Sequence, residues 1–191
     1  MMGGRGLLPG LAGFAGRFTR AVRQAGWAAL LLLGSIAPVA ANSLDEYQVK
    51  AGFLFNFVAF TEWPADTGSA IDVCVYGPDP FGPALDRLHG RVSAGRTLAV
   101  KRVNSVAELG NCQVVFISRP VIDNLPRVLD ALNGMPVLTV ADSPGAMVQG
   151  VALNMGTRQG RVTIEANLAA ARANRLNLSS KLLNLATEVK Q

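Results

Sequence analysis

Acidic residues are missing from the first 41 positions of this chain, which hold four arginines, Arg5, Arg17, Arg20 and Arg23. Histidine is nearly absent too, with His89 the only one in 191 residues, and cysteine occurs twice. Two cysteines and one histidine supply too few soft ligands for a structural zinc site. Neither G-x-S-x-G nor an active-site cysteine pattern occurs, so a hydrolase triad has no nucleophile to build on. Gly77-x-x-x-x-Gly82 sits where a phosphate loop would, but it lacks the Gly-Lys-Ser/Thr ending, and Pro78 and Pro80 cannot donate N–H groups. It reads as a tight turn. His89, within RLHGR, reads as an exposed loop residue. Ser179-Ser180-Lys181 is no Ser–Lys pair, because adjacent residues on a helix do not face one another; Ser179 reads as a helix N-cap. Among the acidic residues, only Asp45 and Glu46 form a close pair in an apolar setting, and both suit the start of a helix. These absences leave an enzyme without support and call for no metal and no cofactor.

What the N-terminus does contain is a basic stretch, the apolar run Trp27–Leu33, and the small residues Pro38-Val39-Ala40-Ala41. That order describes a secretory leader, with cleavage after Ala41 or, alternatively, Ala40. The apolar run is short for a membrane span. The long basic region is compatible with translation starting downstream of Met1. Residues 1–41 are thus expected to be a signal peptide and residues 42–191 one mature domain in the periplasm, with no membrane insertion after cleavage.

The whole chain carries 18 basic and 13 acidic residues, but the four leader arginines leave the mature part nearly neutral. No basic stripe remains to suggest a nucleic-acid partner. Both cysteines, Cys74 and Cys112, fall in the mature part, where an oxidising compartment makes a disulfide the simplest expectation, with two buried free thiols as the alternative.

The mature chain opens on EYQVKAGFLFNFVAFTEWP, Glu46–Pro64. At helical spacing Tyr47, Ala51, Leu54 and Val58 form one apolar stripe, and Val49, Phe53, Phe57 and Phe60 form an overlapping second one. Lys50 and Asn56 interrupt this surface. A helix apolar on so much of its circumference has to be covered on more than one side. Its own core can do this, and so can another molecule, which marks Phe53, Phe57, Phe60 and Trp63 as candidates for a partner or homodimer surface. Ser43 and Glu46 fit a capping box at its start, and Trp63-Pro64 ends it.

Further along, Ile71–Tyr76, Thr97–Val103, Val114–Ser118 and Pro136–Ala141 read as strands, three of them as largely apolar buried ones. Phe81–Leu88, Val121–Leu132, Leu168–Ala173 and Ser179–Val189 read as helices, and Ser105–Leu109 as a helical turn. Val151–Met155 and Arg161–Ile164 read as a hairpin around Gly156–Gly160. Glu165 and Asn167 are expected to cap the helix that follows. Short apolar strands alternating with helices predict an α/β domain with a mixed, mostly parallel sheet covered by helices on both faces, closed by a C-terminal hairpin and helices. Asp142 follows the strand PVLTVA. Ligands of open α/β sheets bind at that end of a strand, so Asp142 is a candidate for a pocket that takes a small molecule or cell-wall fragment, although Asp142-Ser143-Pro144-Gly145 is also a good turn.

Six segments in order, Val49–Pro64, Ile71–Gly82, Gly95–Val103, Cys112–Ser118, Pro136–Asp142 and Asn167–Ala186, together resemble the YfiR-like family of exported bacterial proteins. The resemblance spans nearly all of residues 42–191. It implies a compact periplasmic α/β domain that binds the periplasmic sensor domain of a membrane diguanylate cyclase, holds it inactive, and so lowers cyclic-di-GMP and biofilm formation. It also supports pairing of Cys74 with Cys112, since the family tends to place cysteines in both segments. Where the family commonly has a histidine after the second cysteine, this chain has Gln113, and the run Asp142–Gly150 matches only loosely.

Overall fold

The computed structural model describes residues 40–191, with side chains from Glu46 onward. Nearly all of the expected leader therefore lies outside the described residues. Helix α1 (Ala40–Phe60) leads into β1 (Thr61–Glu62) and β2 (Ala70–Tyr76), followed by α2 (Pro83–Asp86), β3 (Val92–Ser93), β4 (Arg96–Val103) and β5 (Val114–Ile117). Then come α3 (Leu125–Leu132), β6 (Leu138–Ala141), α4 (Ala146–Gln149), β7 (Leu153–Arg158), β8 (Arg161–Asn167), α5 (Leu168–Ala173), β9 (Asn177–Leu178), α6 (Ser180–Leu183) and β10 (Glu188–Lys190).

Eight strands form one mixed sheet in the order β10-β8-β7-β6-β5-β2-β4-β3, and β1 pairs with β9 in a separate ribbon. From β4 through β2, β5 and β6 to β7 every neighbouring pair is parallel. The chain moves outward from β2 to β4, crosses back to β5, and continues through β6 to β7, so the winding direction reverses between β2 and β5. Alternation along the strands divides the interior into two layers. Ile71, Val73, Val75, Val114, Phe116, Leu138 and Val140 face α1, α2 and the C-terminal helices. Cys74, Tyr76, Val115, Ile117 and Ala141 face α3 and α4. Cys74 and Cys112 are joined by a disulfide on that second face, which ties β2 to the segment entering β5.

The mostly parallel mixed sheet with helices on both faces is the predicted architecture. Several local expectations change. Helix α1 extends back through Ser43 to Ala40, so Ser43 is helical rather than the N-cap. The expected helix Phe81–Leu88 contracts to α2, with Gly82 at positive φ just before it and Pro83 at its start. Val121–Leu132 is helical in two pieces, a tight turn over Arg119–Asn124 and then α3, because Pro126 enters at the first turn of the second piece. The hairpin turn is only Gln159-Gly160, both at positive φ as a two-residue hairpin requires. Gly156 lies within β7, where a Cβ would stand 2.8 Å from Thr163 Oγ1 across the ladder. The last expected helix stops at Leu183. Thr187 then donates to Ile164 O at 2.7 Å, and Glu188–Lys190 adds to β8 as a parallel edge strand. Ser179 and Asn167 cap their helices through side-chain oxygens as expected, but Glu165 stays in β8 and accepts from Asn154 Nδ2 at 2.9 Å.

Candidate functional site

Two features occupy the region where α1 crosses the sheet. The first is a buried ionic cluster at the carboxyl ends of the parallel strands. Lys50 lies on the same helical face as Leu54 and Phe57 and is fully buried with them. Its Nζ reaches Asp142 Oδ2 at 3.0 Å, where both side chains have no exposure. Lys50 also pairs with Glu46, one helical turn before it. Tyr47 donates its hydroxyl to the same Asp142 oxygen at 2.6 Å, and Arg119, just past β5, donates to the Asp142 backbone carbonyl at 2.7 Å. Asp142 is thus the hub for three side chains drawn from α1 and the loop after β5. Its other carboxylate oxygen, Ser143 Oγ and Ser118 Oγ are buried without hydrogen-bond partners among the described residues.

The cluster shifts two titrations. Burial and then the bond to Asp142 push the Tyr47 phenol well above its ordinary range. For Glu46, burial pushes the carboxyl up, but the hydrogen bonds from Lys50 and Thr157, with the positive charges of Lys50 and Arg119, outweigh it and hold the group below its ordinary value.

The second feature is a groove of about 410 Å³ between α1 and the β7–β8 hairpin, lined by Glu46, Val49, Phe53, Thr157, Gly160, Arg161 and Val162. Thr157 donates to Glu46 at 2.8 Å, closing one end. Val49 is 45% exposed, unusual for an apolar residue on a helix that otherwise packs inward.

The structure separates the predicted site residues. Phe57 is completely buried in its own core and so cannot belong to a surface, which corrects the expectation for it. Its position points inward because it continues the Lys50–Leu54 face. Phe53, Phe60 and Trp63 are partly buried against the core, with Trp63 Nε1 donating to Val58 O at 3.3 Å. Asp142 stands at a strand's carboxyl end as predicted, but its side chain has no exposure: Lys50 and Tyr47 bond to it, and it does not line the groove. His89 is exposed, and its Nδ1 accepts from Val100 N at 3.2 Å. The reading of Lys50 as an interruption of the apolar surface missed its role. The signal was available in the lone charge one turn before Leu54 and two before Phe57. Among the described residues, no group of three or more His, Cys, Asp or Glu gathers as a metal site would require, and no helix is long and apolar enough to cross a membrane.

Two solved structures are among those with some similarity to this chain. One is the ABC domain in complex with L-Trp from Streptococcus pneumonia, with a TM-score of 0.49 and 9% identity. The other is a conserved domain protein from Vibrio cholerae O1 biovar El Tor, with a TM-score of 0.48 and 11% identity. Each match covers 75% of this chain, which spans 60% of the length of either structure. The YfiR/HmsC-like family model matches residues 47–187, from Tyr47 in the ionic cluster to Thr187 just before the edge strand. That family is periplasmic and regulatory rather than catalytic. With the match covering most of α1, every strand of the sheet but β10, and both cysteines, this chain belongs to the YfiR/HmsC-like family.

Proposed function

We propose that this chain is a periplasmic regulatory binding protein that represses a membrane-bound diguanylate cyclase by binding its periplasmic sensor domain, thereby lowering cyclic-di-GMP and biofilm formation. The family match over residues 47–187 carries this reading. A repressor of this kind needs no catalytic group. It needs higher affinity for the inactive than for the active state of its partner, and it shifts that equilibrium by the difference. The partly exposed flank of α1, with Val49, Phe53 and Phe60, and Trp63 just after β1 offer apolar area of the sort that anchors such contacts. A homodimer through the same flank is compatible with it. Export through the leader at residues 1–41 brings the chain to the compartment where the sensor domain lies.

The test is cellular cyclic-di-GMP in a strain lacking the gene, complemented by the full gene or by a copy without residues 1–41. The expected result is a rise on deletion that only the exported form reverses. No rise on deletion would overturn the repressor reading.

A further inference from the structure

The outer edge of β8 is covered by a lightly held strand. β10 adds to β8 in parallel over three residues, and all three side chains are exposed. Among the described residues none of them forms an ion pair. So short a strand buries little to offset the entropy of ordering it, and parallel pairing is slightly the weaker kind. Its anchor is Thr187, whose N–H and hydroxyl both donate to Ile164 O, at 2.7 and 3.0 Å.

What β10 covers is a row of backbone groups. Asn167 N–H donates to Ala152 O on the β7 side, whereas Ile164 O accepts from Thr187, so alternation turns the N–H and C=O groups of Val162, Ile164 and Ala166 outward. An open edge of this kind is a template for another strand.

Charge selects which strand fits. Arg161, Thr163 and Glu165 share one face of β8. On the β7 side, register sets Arg158 beside Arg161 and Asn154 beside Glu165, where Asn154 Nδ2 holds one carboxylate oxygen at 2.9 Å. On the outer side, β10 sets Glu188 beside Glu165. Like charges side by side across a ladder repel. A second β8, running antiparallel about a twofold axis at Thr163, reverses the sign: its Arg161 falls beside Glu165 and its Glu165 beside Arg161. In that register Val162 of each copy exchanges backbone hydrogen bonds with Ile164 of the other. It also needs the part of the edge that Thr187 and Glu188 occupy, so β10 and the second copy compete.

From this complementarity we infer that the β8 edge is a self-association surface. β10 opens from it while the domain stays folded, and a second copy of this chain pairs there through two Arg161–Glu165 contacts. The inference concerns two copies of this chain alone and stands apart from the repressor reading.

The test combines amide exchange by NMR with sedimentation equilibrium on the exported chain. Wild type is compared with Thr187→Pro, which removes the backbone and hydroxyl donors to Ile164 O, and with Glu188→Lys, which gives Glu165 an opposite charge on β10. Arg161→Glu and Arg161→Glu/Glu165→Arg are added to the Thr187→Pro chain. At low protein concentration Ala166 N–H, facing β10, is expected to exchange at least about tenfold faster than Asn167 N–H, and Glu188→Lys to slow it. Thr187→Pro is expected to tighten self-association about tenfold or more, Arg161→Glu to abolish that gain, and the exchanged charges to restore it. Ala166 and Asn167 exchanging at one rate would overturn the opening of β10. A Thr187→Pro chain that associates no more tightly than wild type, or an association that Arg161→Glu leaves unchanged, would overturn the pairing. Association lost in Val49→Glu but kept in Arg161→Glu would overturn it in favour of the α1 flank. Should Thr187→Pro melt early, Glu188→Pro, within the exposed strand, takes its place with the same expectations.

Discussion

Replacing Lys50 with methionine tests whether the ionic cluster fixes α1 to the sheet. The variant keeps the length and apolar bulk of the side chain and removes the charge. Asp142, whose side chain has no exposure, then loses its partner at 3.0 Å. The Tyr47 hydroxyl remains on it, and the Arg119 guanidinium lies 3.6 Å away, but Arg119 is largely solvated. Removing one member of a buried ion pair leaves an uncompensated charge and costs about 3–5 kcal/mol. In a domain of this size that corresponds to a fall in melting temperature of roughly 6–20 °C. Glu46 adds little to the loss because its side chain is 28% exposed and regains water. The double variant Lys50→Met/Asp142→Asn removes both charges and keeps an acceptor for Tyr47, so most of the loss is expected to be recovered, since a buried pair is often no better than the neutral groups that replace it. Urea titrations of the wild type, both single variants and the double variant give the coupling directly. A Lys50→Met variant within about 1 kcal/mol of wild type, a difference typical of exposed pairs, or strictly additive losses in the double variant, would refute the account of Lys50 as a buried partner of Asp142.

Glu46 has a folded pKa below its ordinary value of 4.5, so its stabilisation is present above that pH and fades as the pH falls through the lower folded value; Glu46→Gln should therefore flatten the decline of melting temperature below about pH 4.5, and an unchanged acid limb would count against the Lys50 and Thr157 contacts. Gly77 has φ of +87° and a Cβ there would stand 2.7 Å from both Ser118 Oγ and Val121 Cγ2, so Gly77→Ala should cost several kcal/mol by combining strain with overpacking, on the order of 1–3 kcal/mol each; a melt near wild type would show that the β2 and β5 loops can separate freely. Gly52→Ala, by contrast, meets nothing and should raise stability by up to about 1 kcal/mol through helix propensity, read in the same melts. Joining Cys74 to Cys112 closes a separation of 38 residues, and chain entropy assigns about 4 kcal/mol to that closure, so Cys74→Ser should melt early and repress poorly; unchanged melting and repression would reject the brace.

The parts of the fold that were legible in the sequence are those whose environment is uniform along the chain. The strands at 70–76, 114–117 and 138–141 are covered on both faces in the sheet's interior, and their largely apolar runs reveal them without reference to neighbours. The C-terminal strand was not legible in this way. Thr187–Lys190 carries no apolar run, and its extended form comes from an edge of β8 that exists only once the sheet has formed. Gly156 was misread as turn chemistry because a glycine required by Thr163 across the ladder looks, in one dimension, like a glycine required by a positive φ.

The site divides along the same line. Asp142 could be placed at a strand's end because that position follows from the local run PVLTVA, but its partner stands 92 residues earlier on another element. Nothing in the local pattern joins the two. What the sequence did contain was a symmetry of exceptions, one cation on the most apolar face of α1 and one acid closing an apolar strand. Neither residue can be buried alone without a large desolvation cost. Had each been treated as needing a partner of opposite sign, the pairing would have been the economical solution. The same logic now separates the two features of the region. Lys50 and Asp142 satisfy each other and bind the fold together, whereas Arg158 and Arg161 are set against each other on the surface with no acid to meet them among the described residues.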